Sequence, residues 1–119
     1  GTAGTPIPGF VLGGTGGKAM LVRAVGPTLA DFGVAGALAD PAITLYRGTV
    51  AVATNDNWST AANATAISST TGVVGAFALP AGSRDAAILT TLSPGAYTAV
   101  VSGVGATAGT ALVEIYVVP

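Results

Sequence analysis

Turn residues cut this chain into apolar pieces that are mostly five to nine residues long, and this spacing limits what it can fold into. Runs that short, rich in Val, Ile, Thr and Ala and bounded by Gly, Pro or Asx clusters, read as strands. Ile7 to Leu12 runs into Gly13-Gly14-Thr15-Gly16-Gly17, a hairpin connection or loop, and Lys18 to Val25 resumes as a second strand. Gly26-Pro27 stops it. Thr28 then caps a short helical turn through Leu29, Ala30, Asp31 and Phe32, which Gly33 ends. Asp40-Pro41 opens a strand from Ala42 to Tyr46, Arg47-Gly48 turns, and Thr49 to Thr54 returns. Asn55-Asp56-Asn57-Trp58-Ser59 is a polar loop. Ala61 to Ile67 reads as a short helix and Gly72 to Leu79 as a strand closed by Pro80-Ala81-Gly82. Asp85 to Leu92, Ala96 to Val104 and Thr110 to Val118 are three further strands, the first two joined by the turn Ser93-Pro94-Gly95.

About eight strands at this spacing predict an all-β fold: one β-sandwich over residues 1–119, with jelly-roll-like or Greek-key connections and one or two short helical turns. In the last strand, alternation sends Val113, Ile115 and Val117 inward and leaves Leu112, Glu114 and Tyr116 on the other face. In the preceding strand Tyr97, Ala99 and Val101 alternate with Thr98, Val100 and Ser102. Both faces of these strands are semi-apolar, whereas an antiparallel sheet with one face in water is usually polar on that side.

Charge is scarce enough to matter for function. The chain has four Lys/Arg, five Asp/Glu and no His, or 8% charged residues against about 25% in an ordinary soluble domain. Its outside must therefore be built from Ala, Thr, Ser, Gly and Val, which suits packing against more protein. A net charge of −1 gives no footprint for nucleic acid or for a basic membrane-binding face. Despite a mean hydropathy of +0.71, no apolar run approaches the roughly 18 to 20 residues of a membrane span. With no Cys there is no disulfide framework and no thiolate metal site, and compartment is not fixed by it. The chain begins at Gly1 rather than Met, as expected of a processed product, an excised segment or part of something longer.

The same scarcity leaves little for catalysis, and the expectation is a non-enzyme. Ser-His and Cys-His nucleophiles are impossible without His and Cys. A P-loop fails at Gly17-Lys18, because its first glycine position is Leu12 and the residue after the lysine is Ala19. Asn55, Asp56 and Asn57 form the best candidate metal site, since oxygen-rich Asx clusters suit Ca²⁺, which takes six to eight oxygen ligands. A second carboxylate from Asp31, Asp40 or Asp85 joins them only if the fold brings it close. The other reading of the same residues is an Asx-turn loop capped by Trp58. Mid-strand Glu114 is expected to pair with mid-strand Arg23 across a ladder, as isolated charges in half-buried strands do. Asn57-Trp58-Ser59 and Asn63-Ala64-Thr65 fit the glycosylation acceptor pattern, which arises by chance in so Thr/Ser/Asn-rich a chain.

Six stretches carry a resemblance: Gly9-Phe10-Val11-Leu12-Gly13-Gly14-Thr15-Gly16, Leu21 to Leu29, Leu38-Ala39-Asp40-Pro41, Ala53-Thr54-Asn55-Asp56-Asn57-Trp58, Gly75 to Pro80 and Leu92 to Thr98. Together they resemble a repeat-type β-sandwich module of large secreted and surface proteins of Gram-negative and related environmental bacteria. From Leu45 through the Asn-Asp-Asn loop to Tyr116, the chain is also similar to bacterial pre-peptidase C-terminal domains, the secreted jelly-roll-like companions of exported enzymes. The resemblance implies an extracellular or cell-surface, non-catalytic β-sandwich, and it implies nothing about polymerisation.

Two functions fit. One is a structural subunit that assembles with copies of itself into a filament, tube or surface layer through apolar contacts. In that reading Gly1 to Pro8 is an arm reaching a neighbour, with Ile7, Phe10 and Val11, or alternatively Ile115, Val117 and Val118, adding a strand to its sheet edge. The other is a binding or adhesion module of a larger exported protein, for glycan or dependent on calcium. An accessory domain that helps export or position an enzyme is a third option.

Overall fold

The computed structural model describes residues 8–105 and 107–119. The strands are β1 (Gly9–Leu12), β2 (Lys18–Val25), β3 (Pro41–Arg47), β4 (Val50–Asn55), β5 (Ala86–Leu92), β6 (Gly95–Gly103) and β7 (Leu112–Val117). Helix α1 (Pro27–Asp31), a 3-10 turn (Trp58–Thr60) and helix α2 (Ala64–Val73) complete the elements. The strands form two antiparallel sheets, ordered β1-β6-β3-β4 and β5-β2-β7. The all-β sandwich expected from the strand spacing is what the chain forms, with seven strands among the described residues rather than eight.

Strand β2 is the axis of the molecule because both of its faces are covered. Met20, Val22 and Ala24 point between the sheets, where they meet Leu12, Ile43, Leu45, Tyr97 and Val101. Leu21 and Val25 point the other way into a second core with Leu29, Trp58, Ile67 and Leu79. Alternation puts Arg23 on that same second face, where it is fully buried. Helices, the 3-10 turn and residues 74–79 thus roof the outer face of the three-stranded sheet. A strand covered on both faces reads as a near-continuous apolar run, and Ala-Met-Leu-Val-Arg-Ala-Val is one.

Several local expectations need correction. The Gly13–Gly17 run is not a hairpin within a sheet, since β1 and β2 lie in different sheets. The expected Gly72–Leu79 strand does not form, and the helix expected over Ala61–Ile67 instead runs from Ala64 to Val73. The cause is a helix stop at Gly75. Gly75 sits at φ +76°, its N–H reaches the Gly72 carbonyl at 3.2 Å, and the Ala76 N–H reaches the Thr71 carbonyl at 3.0 Å. This pair of bonds is a Schellman ending, which a left-handed glycine permits. The chain after it drops Val74, Phe77 and Leu79 onto the second core without pairing. In β7, Val113 and Ile115 pack on the inter-sheet core as expected, and Tyr116 on the second core, but Val117 at the strand end is 58% exposed.

Thr28 lies within α1 and is not its cap. The capping position is Gly26, where the backbone passes so close to its neighbour that a Cβ would stand 2.1 Å from the Leu38 carbonyl oxygen. Gly26→Ala is expected to lower stability by about 1–3 kcal/mol through forced displacement of the 38–41 turn. A urea midpoint equal to that of the parent chain would refute the close approach.

Candidate functional site

The polar loop after β4 divides its side chains between two tasks. The Asn55 side chain is occupied at both ends: its Oδ1 accepts the Ala87 N–H at 3.0 Å, and its Nδ2 donates to the Asn57 carbonyl at 3.3 Å. Asn57 starts the 3-10 turn, and its carbonyl also accepts the Thr60 hydroxyl at 2.9 Å. Asp56 lies near Asp40, the residue just before β3, and one carboxylate oxygen of each is buried without a hydrogen-bond partner among the described residues. Of the three acids that might have joined the loop, the fold brings Asp40. Burial first, then the hydrogen bond to Asp40 and its charge, push the Asp56 carboxyl above the ordinary 3.8, while Arg84 pulls against them. Among the described residues, no three Asp or Glu side chains gather into a metal-sized cluster.

Arg23 and Glu114 are direct ladder partners, and their side chains form the expected ion pair, Nε to Oε1 at 2.9 Å. Arg23 Nη1 donates to the Phe77 carbonyl at 2.7 Å, and its guanidinium carbon lies 4.6 Å from the Phe77 ring centre. The Nε–H does not point along the line to Glu114, so that contact is ionic rather than a hydrogen bond, and Nη2 has no acceptor among the described residues. Tyr116 donates its hydroxyl to Glu114 Oε2 at 2.8 Å. Burial, followed by this bond and the Glu114 charge, raises the Tyr116 phenol above its ordinary 10.0. Under Phe77 this cluster ties β2 and β7 to the 74–79 segment. A small cavity between Trp58, Ile67, Thr71 and Leu79 has about 30 Å³, room for a water and not for a metabolite.

Asp85 has a structural role that its sequence context did not reveal. It is fully buried, and its Oδ1 accepts the N–H groups of Gly26 at 2.8 Å and Thr28 at 3.2 Å. Its Oδ2 accepts the hydroxyls of Thr28 and, at 2.7 Å, Ser83. Its backbone carbonyl takes the Trp58 N–H at 2.9 Å. Nothing local in Ser83-Arg84-Asp85 signals a partner 57 or 59 residues away.

The residues expected at subunit contacts divide unevenly. Ile7, with the Gly1 to Ile7 part of the expected arm, lies outside the described residues. Phe10 stacks on Tyr97 with ring centres 5.5 Å apart and packs on the inter-sheet core. Ile115 and Val118 are partly buried against the two cores. Val11 and Val117 face outward, Val11 at 76% exposure. At the other end of the four-stranded sheet, β4 exposes Val50 at 63% and Val52 at 44%, two residues the sequence did not single out. The edges of the two sheets are treated differently. Along the β5 edge, Trp58 N–H binds the Asp85 carbonyl, Asn55 binds the Ala87 N–H and Asn63 Nδ2 binds the Leu89 carbonyl at 3.0 Å. Strands β1, β4 and β7 end their sheets with one strand partner each.

Compared with family models, with curated proteins and with solved structures, the chain finds no significant match.

The Arg23 cluster makes a measurable claim. Glu114→Ala alone strands a buried guanidinium and is expected to cost roughly 3 kcal/mol or more. Arg23→Met combined with Glu114→Leu is expected to stay within about 1 kcal/mol of the parent, because the penalty comes from the unpaired charge. Urea unfolding of the single and double variants checks this, and a double variant at least as unstable as the single one contradicts it.

Proposed function

We propose that this chain is an extracellular structural subunit that assembles with copies of itself into a filament, tube or surface layer, using the edges of its four-stranded sheet. The observation that carries this reading is the β4 edge: six residues, Val50–Asn55, with no charged side chain or proline and with Val50 and Val52 outward. Natural sheets guard such edges with Lys, Pro, bulges or covering loops, since an open edge templates pairing with another chain. The β5 edge of the same molecule is covered by loop side chains, whereas among the described residues the β4 edge has no such cover and only one guard, a register shift beside Leu45 and Tyr46 that leaves Val52 unpaired. At the opposite end of the sheet, β1 offers Val11 and likewise has no charge.

Strand addition of β1 onto the β4 of a neighbour is a head-to-tail contact, and such an operator gives a filament when it does not close into a ring. The thin charge supports the same reading, because Arg23 and Asp85 are buried and take two of the nine charges off the surface. The extracellular setting rests on the resemblance to secreted sandwich modules.

Negative-stain electron microscopy of the purified protein tests the proposal, with regular polymers as the expected result. Val52→Lys places a charge on the open edge and is expected to leave dispersed particles of 11.3 kDa with an unchanged melting temperature. Polymers undiminished by Val52→Lys, or a parent chain that never polymerises, would sink the reading.

A further inference from the structure

Strand β1 joins β2 through Gly13-Gly14-Thr15-Gly16-Gly17, a run of four glycines and one threonine that crosses from one sheet to the other. Residues 13–17 are exposed, and no backbone hydrogen bond ties them to the rest of the molecule among the described residues. Gly14 and Gly16 sit at φ +82°, and a Cβ on Gly13, Gly14 or Gly16 would meet nothing within 4 Å. Contact with the second sheet begins at Gly17, against Thr91. The linker thus stands clear of both cores.

Strand β1 itself is well anchored. Its ladder on β6 runs from the Gly9–Thr98 pair to the Leu12–Gly95 pair, and the Pro8 carbonyl extends it by accepting the Ala99 N–H at 3.0 Å. Phe10 stacks on Tyr97, and Leu12 is buried in the inter-sheet core. A ladder and alternate side chains in pockets are the means by which an extended segment adds to a sheet edge. The segment complementary to this β6 edge is Gly9-Phe10-Val11-Leu12, and every second copy of the chain carries it.

We propose that β1 is an exchangeable strand, which leaves its own β6 and takes the identical place on the β6 of a second copy, reciprocally, with Gly13–Gly17 as the hinge. Every contact of β1 is kept in the exchanged pair, so the two forms differ in the hinge and in the joining of two molecules. A short flexible linker holds its strand at an effective concentration on the order of 1 mM. Exchange therefore competes with self-pairing once copies are packed to that density, and in dilute solution each chain keeps its own β1. Opening breaks one four-residue strand at the end of a sheet, the kind of element that opens locally at low cost. The inference is independent of the edge-to-edge assembly, because it uses the side of β1 that faces β6 and leaves the other side of β1 and the β4 edge as they are.

Disulfide trapping tests it in a chain that has no cysteine of its own. Since the Ala99 N–H bonds the Pro8 carbonyl, alternation makes Val11 and Ala96 a non-hydrogen-bonded pair with Cα atoms about 4.5 Å apart, within disulfide reach. Both residues are exposed, so Val11→Cys and Ala96→Cys chains are expected to melt with the parent. Neither single variant can form the 11–96 link within itself. An equal mixture of the two is kept reduced at about 1 mM, the effective concentration of the home strand, and then oxidised briefly. Covalent dimers of twice 11.3 kDa, joined between positions 11 and 96 and in clear excess over either variant alone, are the expected result. At about 10 μM the yield is expected to fall by roughly tenfold or more, since self-pairing then prevails. A mixture that crosslinks no more than its separate components, or a yield indifferent to dilution, would overturn the exchange. Adding Val52→Lys to both variants is expected to leave the yield unchanged. A yield that Val52→Lys abolishes would assign the link to the β4 edge contact and overturn the exchange as well.

Discussion

The buried carboxylate of Asp85 is the contact on which the arrangement of the layers depends. One side chain closes the first turn of α1 through the N–H groups of Gly26 and Thr28, and ties in the Thr28 and Ser83 hydroxyls. The same residue's carbonyl receives Trp58, whose indole N–H in turn reaches the Pro80 carbonyl at 3.1 Å and Ser83 at 3.2 Å. Segments around 26, 58 and 80–85 therefore converge on one point just before β5. An ionised acceptor bonded to several donors makes stronger hydrogen bonds than a neutral one, and the helix N-terminus adds a favourable dipole. To the apolar contacts of the roof that point adds directional bonds, which act with those of Arg23 to Phe77 and Asn63 to Leu89 in fixing its register.

That roof explains why so few charges serve the chain. Covering the outer face of the β5-β2-β7 sheet makes β2 apolar on both sides and places Arg23 where no water reaches it. A buried guanidinium is tolerable only with a counter-ion and acceptors, and Glu114, the Phe77 carbonyl and the Phe77 ring provide them. Phe77 in turn packs edge-on against the exposed Phe32 at 5.0 Å between ring centres, so α1 and the 74–79 segment are joined above the ion pair. The two buried charges, Arg23 and Asp85, help to fix which segment lies over which strand. The surface is left with Lys18, Arg47, Arg84 and Asp31 as its exposed charged residues among those described.

How much of this was legible depended on whether the cause was local. Strand β2 could be read to the residue because Gly17 and Gly26 bracket a run that is apolar except for Lys18 and Arg23. The Arg23–Glu114 pair was legible because two lone charges in half-buried strands have few alternatives. The 72–79 region was misread because Gly72-Val73-Val74-Gly75 has strand-like composition, while the geometry is decided by the helical ending at Gly75. Sheet membership of β1 was not legible either, since a glycine run serves equally for a hairpin or for a crossing between sheets. At the Asx loop the residue type was correct and the partners were not. Asn55 is spent on the β5 backbone, and the acid that bears on Asp56 is Asp40, just before β3, which no local signal in the loop indicates.

The unequal treatment of sheet edges follows from the same layering. The loop that leaves β4 has to cross to the other sheet to become the roof, and on the way it runs beside β5. Asn55, Trp58 and Asn63 therefore fall within reach of the outward-facing backbone groups of β5 and satisfy them. Among the described residues nothing pairs along the free side of β4 after the chain has left it, and Val50 and Val52 are exposed there. The β1 edge differs in kind: β1 has only four residues, and among the described residues its strand partner is β6. A topology that covers the outer face of one sheet with its own helices leaves β1, β4 and β7 as terminal strands with one strand partner each among the described residues. In a chain with almost no charge to guard them, those ends are where the proposed assembly would add another copy.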